Sequence, residues 1–250
     1  MLLITGASGT LGREFARLVP EALTPSHSDL DLTTKDTVFD YVASNQVETV
    51  IHCAALANVS TCETNQRQAY QTNVNGTRNI LDALSRHKPD AYFVYVSTAC
   101  VFPGDEPTRF YSEEDIPYPK NFYGMTKLLA EHSVVERAST SDLEALIIRT
   151  NFAGRGKWRH PSAFVDRYGT YLYPDQVARA VTDLMRAKMK GHVHVSGDRR
   201  ISMYDFARIE DPNVKPMTLN NYRGPPVTVN MCLTSKRVPL VPFETKVAQT

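Results

Sequence analysis

A short apolar run that leads directly into a glycine-rich turn opens the chain, and this feature constrains the fold more than any other. The run at residues 2–5 precedes Gly6, Gly9 and Gly12, and an amphipathic segment follows as far as Val19. The first glycine permits a tight turn, the second lets the backbone approach a pyrophosphate, and the third lets a helix pack closely on the strand. A pyrophosphate would then meet the start of that helix. The opening of the chain therefore predicts a strand–turn–helix unit that binds a dinucleotide.

The alternation of apolar runs with amphipathic segments continues as far as Thr150. Runs typical of buried strands cover residues 49–53, 91–97 and 143–149. Strands that alternate with helices predict a parallel sheet covered on both faces, which is the α/β class with a Rossmann-like, doubly wound topology. We therefore assign residues 1–150 to a dinucleotide-binding domain.

The remaining residues, 151–250, show a looser pattern. A helix is expected over 175–188, a strand over 192–195, and a short helix capped by Ser202. We expect this segment to supply the last helix and strand of the sheet together with a small, reduced substrate-binding lobe.

One long helix is expected from about Glu63 to Ser85, after a strand that ends in the small residues Ala54-Ala55. Small side chains at that strand end would let a cofactor lie against the edge of the sheet. An asparagine within a helix, here Asn73, is usually exposed, so this residue alone indicates no function.

Charge and composition exclude several classes of function. The 250 residues carry a formal net charge of +1, so no global field favours nucleic acid or an anionic membrane. No run of about eighteen apolar residues is present, and the chain enters a strand directly after Met1, which predicts neither a membrane span nor a signal peptide. The four cysteines have no Cys-x-x-Cys spacing and no accompanying histidine pattern. We therefore expect reduced thiols, no metal site and a cytoplasmic protein.

The choice of dinucleotide depends on the residues after a weakly indicated second strand at 22–24. An acid there would hold the ribose hydroxyls of NAD, whereas a nearby cation would hold the 2′-phosphate of NADP. The sequence supplies no acid before Asp29, and Arg13 lies just past the third glycine. This arrangement favours NADP(H), with NAD(H) as the alternative. The alternative is that Arg13 has no role in cofactor binding and is simply a solvated residue on the helix.

Tyr123 and Lys127 form the strongest candidate for chemistry. They lie four residues apart in Tyr-Gly-Met-Thr-Lys, so a helix would place both side chains on one face. An ammonium beside a phenol favours the phenolate and lowers the tyrosine pKa, and such a tyrosine can give a proton to a ketone oxygen. The same spacing occurs by chance in many helices, so the pair alone does not establish catalysis.

In combination these segments resemble the extended short-chain dehydrogenase/reductase superfamily, and within it the branch of dTDP-4-dehydrorhamnose reductase and its sugar-nucleotide-binding relatives. The resemblance rests on the glycine turn and on nine further segments: Asp31-Leu32, His52-Cys53-Ala54-Ala55, Asn58-Val59 through Glu63, Ser97-Thr98 with Val101-Phe102, Tyr123-Gly124-Met125-Thr126-Lys127, Arg149-Thr150, Tyr168-Gly169-Thr170-Tyr171-Leu172, His194-Val195-Ser196-Gly197 and Tyr204-Asp205-Phe206-Ala207. Each part alone is common, whereas the combination is specific for the superfamily.

The resemblance implies hydride transfer from the cofactor to C4 of a nucleotide-linked keto-sugar. Thr98 would hydrogen-bond the substrate carbonyl oxygen, Tyr123 would donate its proton to that oxygen, and Lys127 would hold the nicotinamide ribose and keep the tyrosine acidic. The implied substrate contacts are Val59, Cys100 and Phe152. Besides Lys127, the implied cofactor contacts are Gly6, Ser8, Gly9, Thr10, Leu11, Gly12, Arg13, Asp31, Leu32, Cys53, Ala54, Ala55, Leu56 and Asn73.

Three departures from the branch concern substrate recognition. Ala99 and Cys100 replace the usual Asp-Tyr pair after the catalytic threonine, and Phe152 stands where the branch has a tryptophan. The stretch between Phe152 and Tyr168, which normally helps to build the substrate lobe, is shortened. We therefore expect intact reductase machinery with altered sugar recognition.

Two alternative functions stay open. Bifunctional nucleotide-sugar 3,5-epimerase/4-reductases carry a cysteine at the position of Cys100, where a thiolate is a competent base, and His160 is the candidate acid partner. The alternative is that Cys100 has no catalytic role and is a small residue packed at a strand end. The regulatory subunit of methionine adenosyltransferase resembles the same branch, binds a dinucleotide and serves as a partner protein. A homodimer is a further expectation.

Overall fold

The centre of the protein is a five-stranded parallel sheet, in a computed structural model that describes residues 1–244. In spatial order its strands are β1 (Leu2–Thr5), β2 (Thr49–His52), β3 (Tyr92–Thr98), β4 (Glu144–Thr150) and β7 (Gly191–Val195). Every neighbouring pair in this sheet is parallel. The second strand expected at 22–24 is reduced to a single parallel bridge between Leu23 and Leu3.

Helices cover both faces of the sheet, which confirms the predicted Rossmann-like, doubly wound fold. They are α1 (Gly12–Leu18), α2 (Lys35–Ser44), α3 (Val59–Thr64), α4 (Gln66–Tyr70), α5 (Gly76–His87), α6 (Phe122–Thr140), α7 (Pro174–Arg186) and α8 (Met203–Glu210). Successive strand side chains point to opposite faces. Accordingly, Leu3 packs in the core formed with α2, α5 and α6, whereas Ile4 packs in the core formed with α1 and α7.

The prediction of one long helix over 63–85 is wrong, because this part of the chain forms three separate helices, α3, α4 and α5. α3 ends where Asn65 leaves the helical conformation, and its side chain accepts a hydrogen bond from the backbone of Gln68 at the start of α4. A π-helical turn, Gln71–Asn75, then leads into α5. Such turns often lie at functional sites. This one carries Asn73, which is buried and not exposed as expected.

Two small sheets are formed by the residues that follow β4. One contains β10 (Asn230–Met231), β6 (Tyr168–Gly169) and β8 (Ile201–Ser202) in that order, and the other pairs β5 (Ser162–Phe164) with β9 (Lys215–Met217). These strands have two or three residues each, so the lobe depends on side-chain contacts more than on strand pairing.

The helix and strand expected over 175–188 and 192–195 correspond to α7 and β7, and β7 closes the edge of the central sheet. Ser202 caps α8 as predicted, since its side chain accepts a hydrogen bond from the backbone of Asp205. Of the predicted lobe segment 151–250, residues 245–250 lie outside the described part of the chain. Among residues 1–244, no helix is long and apolar enough to cross a membrane, and no cluster of His, Cys, Asp and Glu could hold a metal ion.

Candidate active site

A cavity of about 420 Å³ lies outside the carboxyl ends of the central strands, where open α/β sheets bind their ligands. We call it the cofactor groove. Its walls come from the glycine turn, the segment after β2, the ends of β3 and β4, and the start of α6. The lining residues are Gly6, Gly9, Thr10, Leu11, Gly12, Cys53, Ala55, Ala57, Val96, Ser97, Thr98, Tyr123, Lys127, Thr150, Asn151 and Phe152.

The glycine turn has no room for side chains at its first and last glycines. Gly6 has φ +69°, and a Cβ atom there would lie 2.7 Å from the backbone nitrogen of Ala54. A Cβ atom at Gly12 would lie 2.2 Å from the carbonyl oxygen of Gly6, which is itself hydrogen-bonded to Gly9 N at 2.9 Å. The turn therefore presents bare backbone to the groove, and this cradle fits the pyrophosphate of a dinucleotide.

Asn121 and Gly124 fix the start of α6. The Asn121 side chain accepts a hydrogen bond from Gly124 N at 2.9 Å, which caps the helix. A Cβ atom at Gly124 would lie 2.3 Å from the carbonyl oxygen of Cys100, so glycine lets the helix approach the end of β3. This close approach lets Tyr123 and Thr98 line the same groove.

Thr98, Tyr123 and Lys127 all line the cofactor groove, so three segments of the chain meet there. Thr98 is the last residue of β3, and its hydroxyl accepts a hydrogen bond from Cys100 N at 3.1 Å. Tyr123 and Lys127 lie one turn apart on α6, as their spacing predicts. The arrangement brings a hydroxyl, a phenol and an amine to the groove that the glycine turn also lines.

Burial dominates the protonation behaviour of the phenol and the amine. It lowers the pKa of Lys127 to about 8, and the Lys127 Nζ lies 4.1 Å from the centroid of the Tyr95 ring. Burial raises the pKa of Tyr123 above its usual value and the nearby Cys100 thiol adds to the rise, while the hydrogen bond with Thr98 opposes it. Burial therefore outweighs the lowering of the tyrosine pKa that is expected from Lys127, because a buried phenolate is poorly solvated.

Glu131, one turn after Lys127 on α6, forms a buried ion pair with Arg149 on β4. Glu131 accepts a hydrogen bond from Arg149 Nη2 at 2.7 Å and from the Ser97 hydroxyl, and His192 Nε2 lies 3.3 Å from it. Burial alone would raise the pKa of Glu131, but hydrogen bonds from His192 and Arg149 outweigh it and hold the pKa at about 2. The four-residue spacing of Lys127 and Glu131 can be read from the sequence. That Arg149 on β4 and His192 on β7 are the partners of Glu131 cannot, because only the fold brings these segments together.

Asn73 supports the groove without lining it. Its Oδ1 accepts a hydrogen bond from Leu56 N at 2.7 Å, and its Nδ2 donates to Leu56 O at 3.0 Å and to Thr126 Oγ1 at 2.9 Å. It thereby joins the segment after β2 to α6. Asn73 therefore holds in place the segment after β2, and Ala55 in this segment lines the groove.

Several residues named from the resemblance do not line the groove. Asp31 accepts hydrogen bonds from the backbone and hydroxyl of Thr33, and Leu32 packs in the core beside α5. Ser8 accepts a hydrogen bond from Arg13 through its carbonyl oxygen at 3.1 Å, and the Arg13 side chain lines a different cavity. Ala54 and Leu56 belong to the segment that Asn73 holds.

Of the three expected substrate contacts, Phe152 alone is a lining residue of the groove, among the described part of the chain. Cys100 is buried, with its Sγ 3.8 Å from Met231 Sδ, and Val59 is the first residue of α3. His160, the candidate acid partner of Cys100, is exposed beside Trp158. Four further lining residues were not predicted as site residues, although they lie at or just beyond the carboxyl ends of β3 and β4: Val96, Ser97, Thr150 and Asn151.

The family model for the RmlD substrate binding domain matches residues 1–219. The dTDP-4-dehydrorhamnose reductase of Aggregatibacter actinomycetemcomitans is 30% identical over 247 residues, which cover 88% of this chain and 81% of that protein. Methionine adenosyltransferase 2 subunit beta of Rattus norvegicus is 29% identical over 242 residues, covering 82% and 70% of the two chains.

A solved structure agrees with these sequence relationships. The crystal structure of dTDP-4-dehydrorhamnose reductase from Bacillus anthracis in complex with NADP superposes with a TM-score of 0.86, at 25% identity, over 97% of this chain and 94% of that one. The chain belongs to the RmlD substrate binding domain family, within the extended short-chain dehydrogenase/reductase superfamily.

Proposed function

We propose that the protein is an NAD(P)H-dependent reductase that reduces the 4-keto group of a nucleotide-linked deoxysugar. The observation that carries this proposal is that Thr98, Tyr123 and Lys127 meet in the cofactor groove, which the bare backbone of the glycine turn also lines. The relatives named dTDP-4-dehydrorhamnose reductase support the same reaction and the same class of substrate.

Tyr123 and Thr98 have different roles at the substrate carbonyl. The cofactor, when bound, supplies the hydride. Tyr123 holds a proton at its Oη, since burial keeps the phenol neutral, and donates it to the oxygen of the carbonyl. Thr98 donates a hydrogen bond to the same oxygen. Both donors stabilise the charge that develops on this oxygen as the carbonyl is reduced.

Lys127 has two roles in this scheme. Its ammonium would hold the hydroxyls of the nicotinamide ribose and would stabilise the phenolate that Tyr123 becomes after it has given up its proton. With a pKa of about 8, the amine is mostly protonated at neutral pH. Low exposure of the amine strengthens both interactions because little solvent screens them.

The glycine turn and the segment after β2 would hold the cofactor, with Cys53 and Ala55 against its nicotinamide half. NADP(H) is favoured over NAD(H), because the related enzyme from Bacillus anthracis was crystallised in complex with NADP. Asp31 and Leu32, which lie before α2, would be on the adenosine side. The homodimer and the cytoplasmic location stay predictions.

Substrate recognition would come from Phe152, Val59 and the residues around Cys100. Phe152 lies where the groove meets the lobe, and a single parallel bridge joins it to Leu172. Cys100 packs against a methionine sulfur in a buried cluster, which supports a packing role over that of an epimerase base.

A substrate panel tests the proposal. The purified protein would be mixed with NADPH or NADH and with 4-keto-6-deoxyhexoses linked to dTDP, UDP or GDP, and nicotinamide absorbance would be followed. We expect oxidation with at least one sugar, faster with NADPH. Tight NADPH binding with no oxidation across the panel would contradict the proposal, and would favour a dinucleotide-binding regulatory subunit of the kind found among the relatives.

A further inference from the structure

A second cavity, of about 470 Å³, lies between α1, α7 and the loop that follows β4. Its lining is unusually rich in one residue type. Five guanidinium side chains from three separate segments surround it: Arg13, Arg17, Arg155, Arg159 and Arg179. We call it the arginine cavity. It shares a single lining residue, Thr10, with the cofactor groove, so the two cavities are neighbours on either side of the start of α1.

Two carboxylates, Glu14 and Asp175, also line the arginine cavity. Asp175 accepts hydrogen bonds from Arg155 Nε at 3.2 Å and from Arg179, and Glu14 pairs with Arg17 at 2.9 Å. Five guanidiniums against two carboxylates leave an excess of three positive charges. Like charges gathered in a concave site raise the local potential and attract anions.

Part of this arginine set is held in place by the protein. The Arg155 guanidinium stacks 3.6 Å from the centroid of the Tyr173 ring, in addition to its bond with Asp175. Arg13 donates a hydrogen bond to Ser8 O at 3.1 Å. Planar guanidiniums fixed by packing match the oxygen geometry of phosphates, and less rotamer entropy is lost when an anion binds.

We propose that the arginine cavity is a second anion site, which binds the diphosphate group of a small molecule separately from the dinucleotide. Its volume lies within the range of small-ligand pockets, and its charge excess matches the charge of a diphosphate. The shared Thr10 places the bound anion next to the glycine turn. The proposal concerns binding alone, so it stands or falls independently of the reductase activity.

Calorimetric titration of the full chain with inorganic pyrophosphate, in the presence of saturating NADP⁺, tests this site. The dinucleotide then fills the cofactor groove, so binding that persists must occur elsewhere. We expect saturable binding, and we expect Arg17→Gln and Arg159→Gln each to weaken it by about fivefold to tenfold, because each removes a charge-assisted donor. Both side chains are exposed, so these variants keep the fold.

Arg186→Gln is the matched control, since this arginine is exposed on α7 and pairs with Asp183 away from the cavity. It should leave pyrophosphate affinity unchanged, and all three variants should bind NADP⁺ as the wild type does. Pyrophosphate binding that disappears when NADP⁺ is saturating would overturn the proposal. So would an unchanged affinity in both cavity variants, or the absence of saturable binding to the wild-type protein.

Discussion

The part of the chain up to Thr150 and the lobe that follows it are built on different principles. In the first part, strands of four to seven residues are buried nearly throughout and pair in one continuous parallel sheet. In the lobe, strands of two or three residues are tied by side chains to distant backbone, as Arg167 is to Thr228 O at 2.9 Å. Thr98, Tyr123 and Lys127 lie on the regular part, whereas Phe152, one of the proposed substrate contacts, lies where the irregular part begins.

The largest effect is expected on the stability of the fold, when the buried ion pair between Glu131 and Arg149 in the regular part is broken. Glu131→Gln would leave Arg149 as an uncompensated buried charge, and we expect a loss of about 3–5 kcal/mol in the free energy of unfolding. Urea denaturation at pH 7 measures it, with Glu136→Gln, exposed on the same helix, as the control. A loss as small as in the control would show that the pair does not stabilise the sheet.

The same variant has a defined pH dependence. The folded pKa of Glu131, about 2, lies below its usual value of 4.5, so its contribution is fully present above pH 4.5 and is lost as the pH falls towards 2. The stability difference between the wild type and Glu131→Gln should therefore shrink over that window. A difference that stays constant with pH would contradict this assignment of the carboxylate.

The next largest effect is expected on cofactor affinity, when a side chain is introduced into the glycine turn. Gly12→Ala would force a Cβ atom against Gly6 O, and the displaced turn should bind NADPH about a hundredfold more weakly. Fluorescence titration with NADPH measures the affinity. Gly154→Ala is the control, because a Cβ atom there meets a Thr10 methyl at an ordinary 3.7 Å. Equal affinities in the two variants would refute the cradle.

A lobe variant should show the opposite pattern. The buried Asn230 donates hydrogen bonds from Nδ2 to Glu106 O at 2.6 Å and to Arg109 O at 2.7 Å. In Asn230→Ala the loss of both bonds should raise the KM for the keto-sugar about tenfold and leave NADPH affinity unchanged. Steady-state kinetics with the exposed Asn213→Ala as control separates the two parameters. A weaker NADPH affinity would show that the two parts are not separable.

The smallest effect is expected at Cys100, because its sulfur packs against Met231 and does not line the groove. Cys100→Ala should change reductase turnover by less than about threefold. In deuterated water, the wild-type enzyme should introduce no deuterium at C3 or C5 of the sugar. Deuterium at either carbon that is lost in Cys100→Ala would instead establish the thiol as an epimerase base.

Local patterns were sufficient to predict most of the regular part. The glycine spacing and the Tyr123–Lys127 pair depend on residues within a few positions of each other, and the helix and strand periods fix where such residues point. The prediction failed where distant segments decide. Asn73 is buried because a π-helical turn meets the segment after β2, and burial raises the pKa of Tyr123 although its neighbour Lys127 would lower it.

The arginine cavity is a further example of what local patterns miss. Arg17, Arg159 and Arg179 are far apart in sequence and each resembles an ordinary surface residue. Only the packing of α1 beside α7, with the loop after β4, brings them together. Two-residue strands in the lobe likewise carry too short a pattern to be recognised before the fold is known.

Isotope transfer tests the central claim most directly. The protein would be incubated with NADPH deuterated at C4 of the nicotinamide and with a nucleotide-linked 4-keto-6-deoxyhexose, and the product would be examined by NMR. We predict deuterium at C4 of the sugar, formed at least about a hundredfold more slowly by Tyr123→Phe, whose NADPH affinity stays near that of the wild type. No deuterium at C4 with any such sugar, or equal rates in the two proteins, would contradict the account.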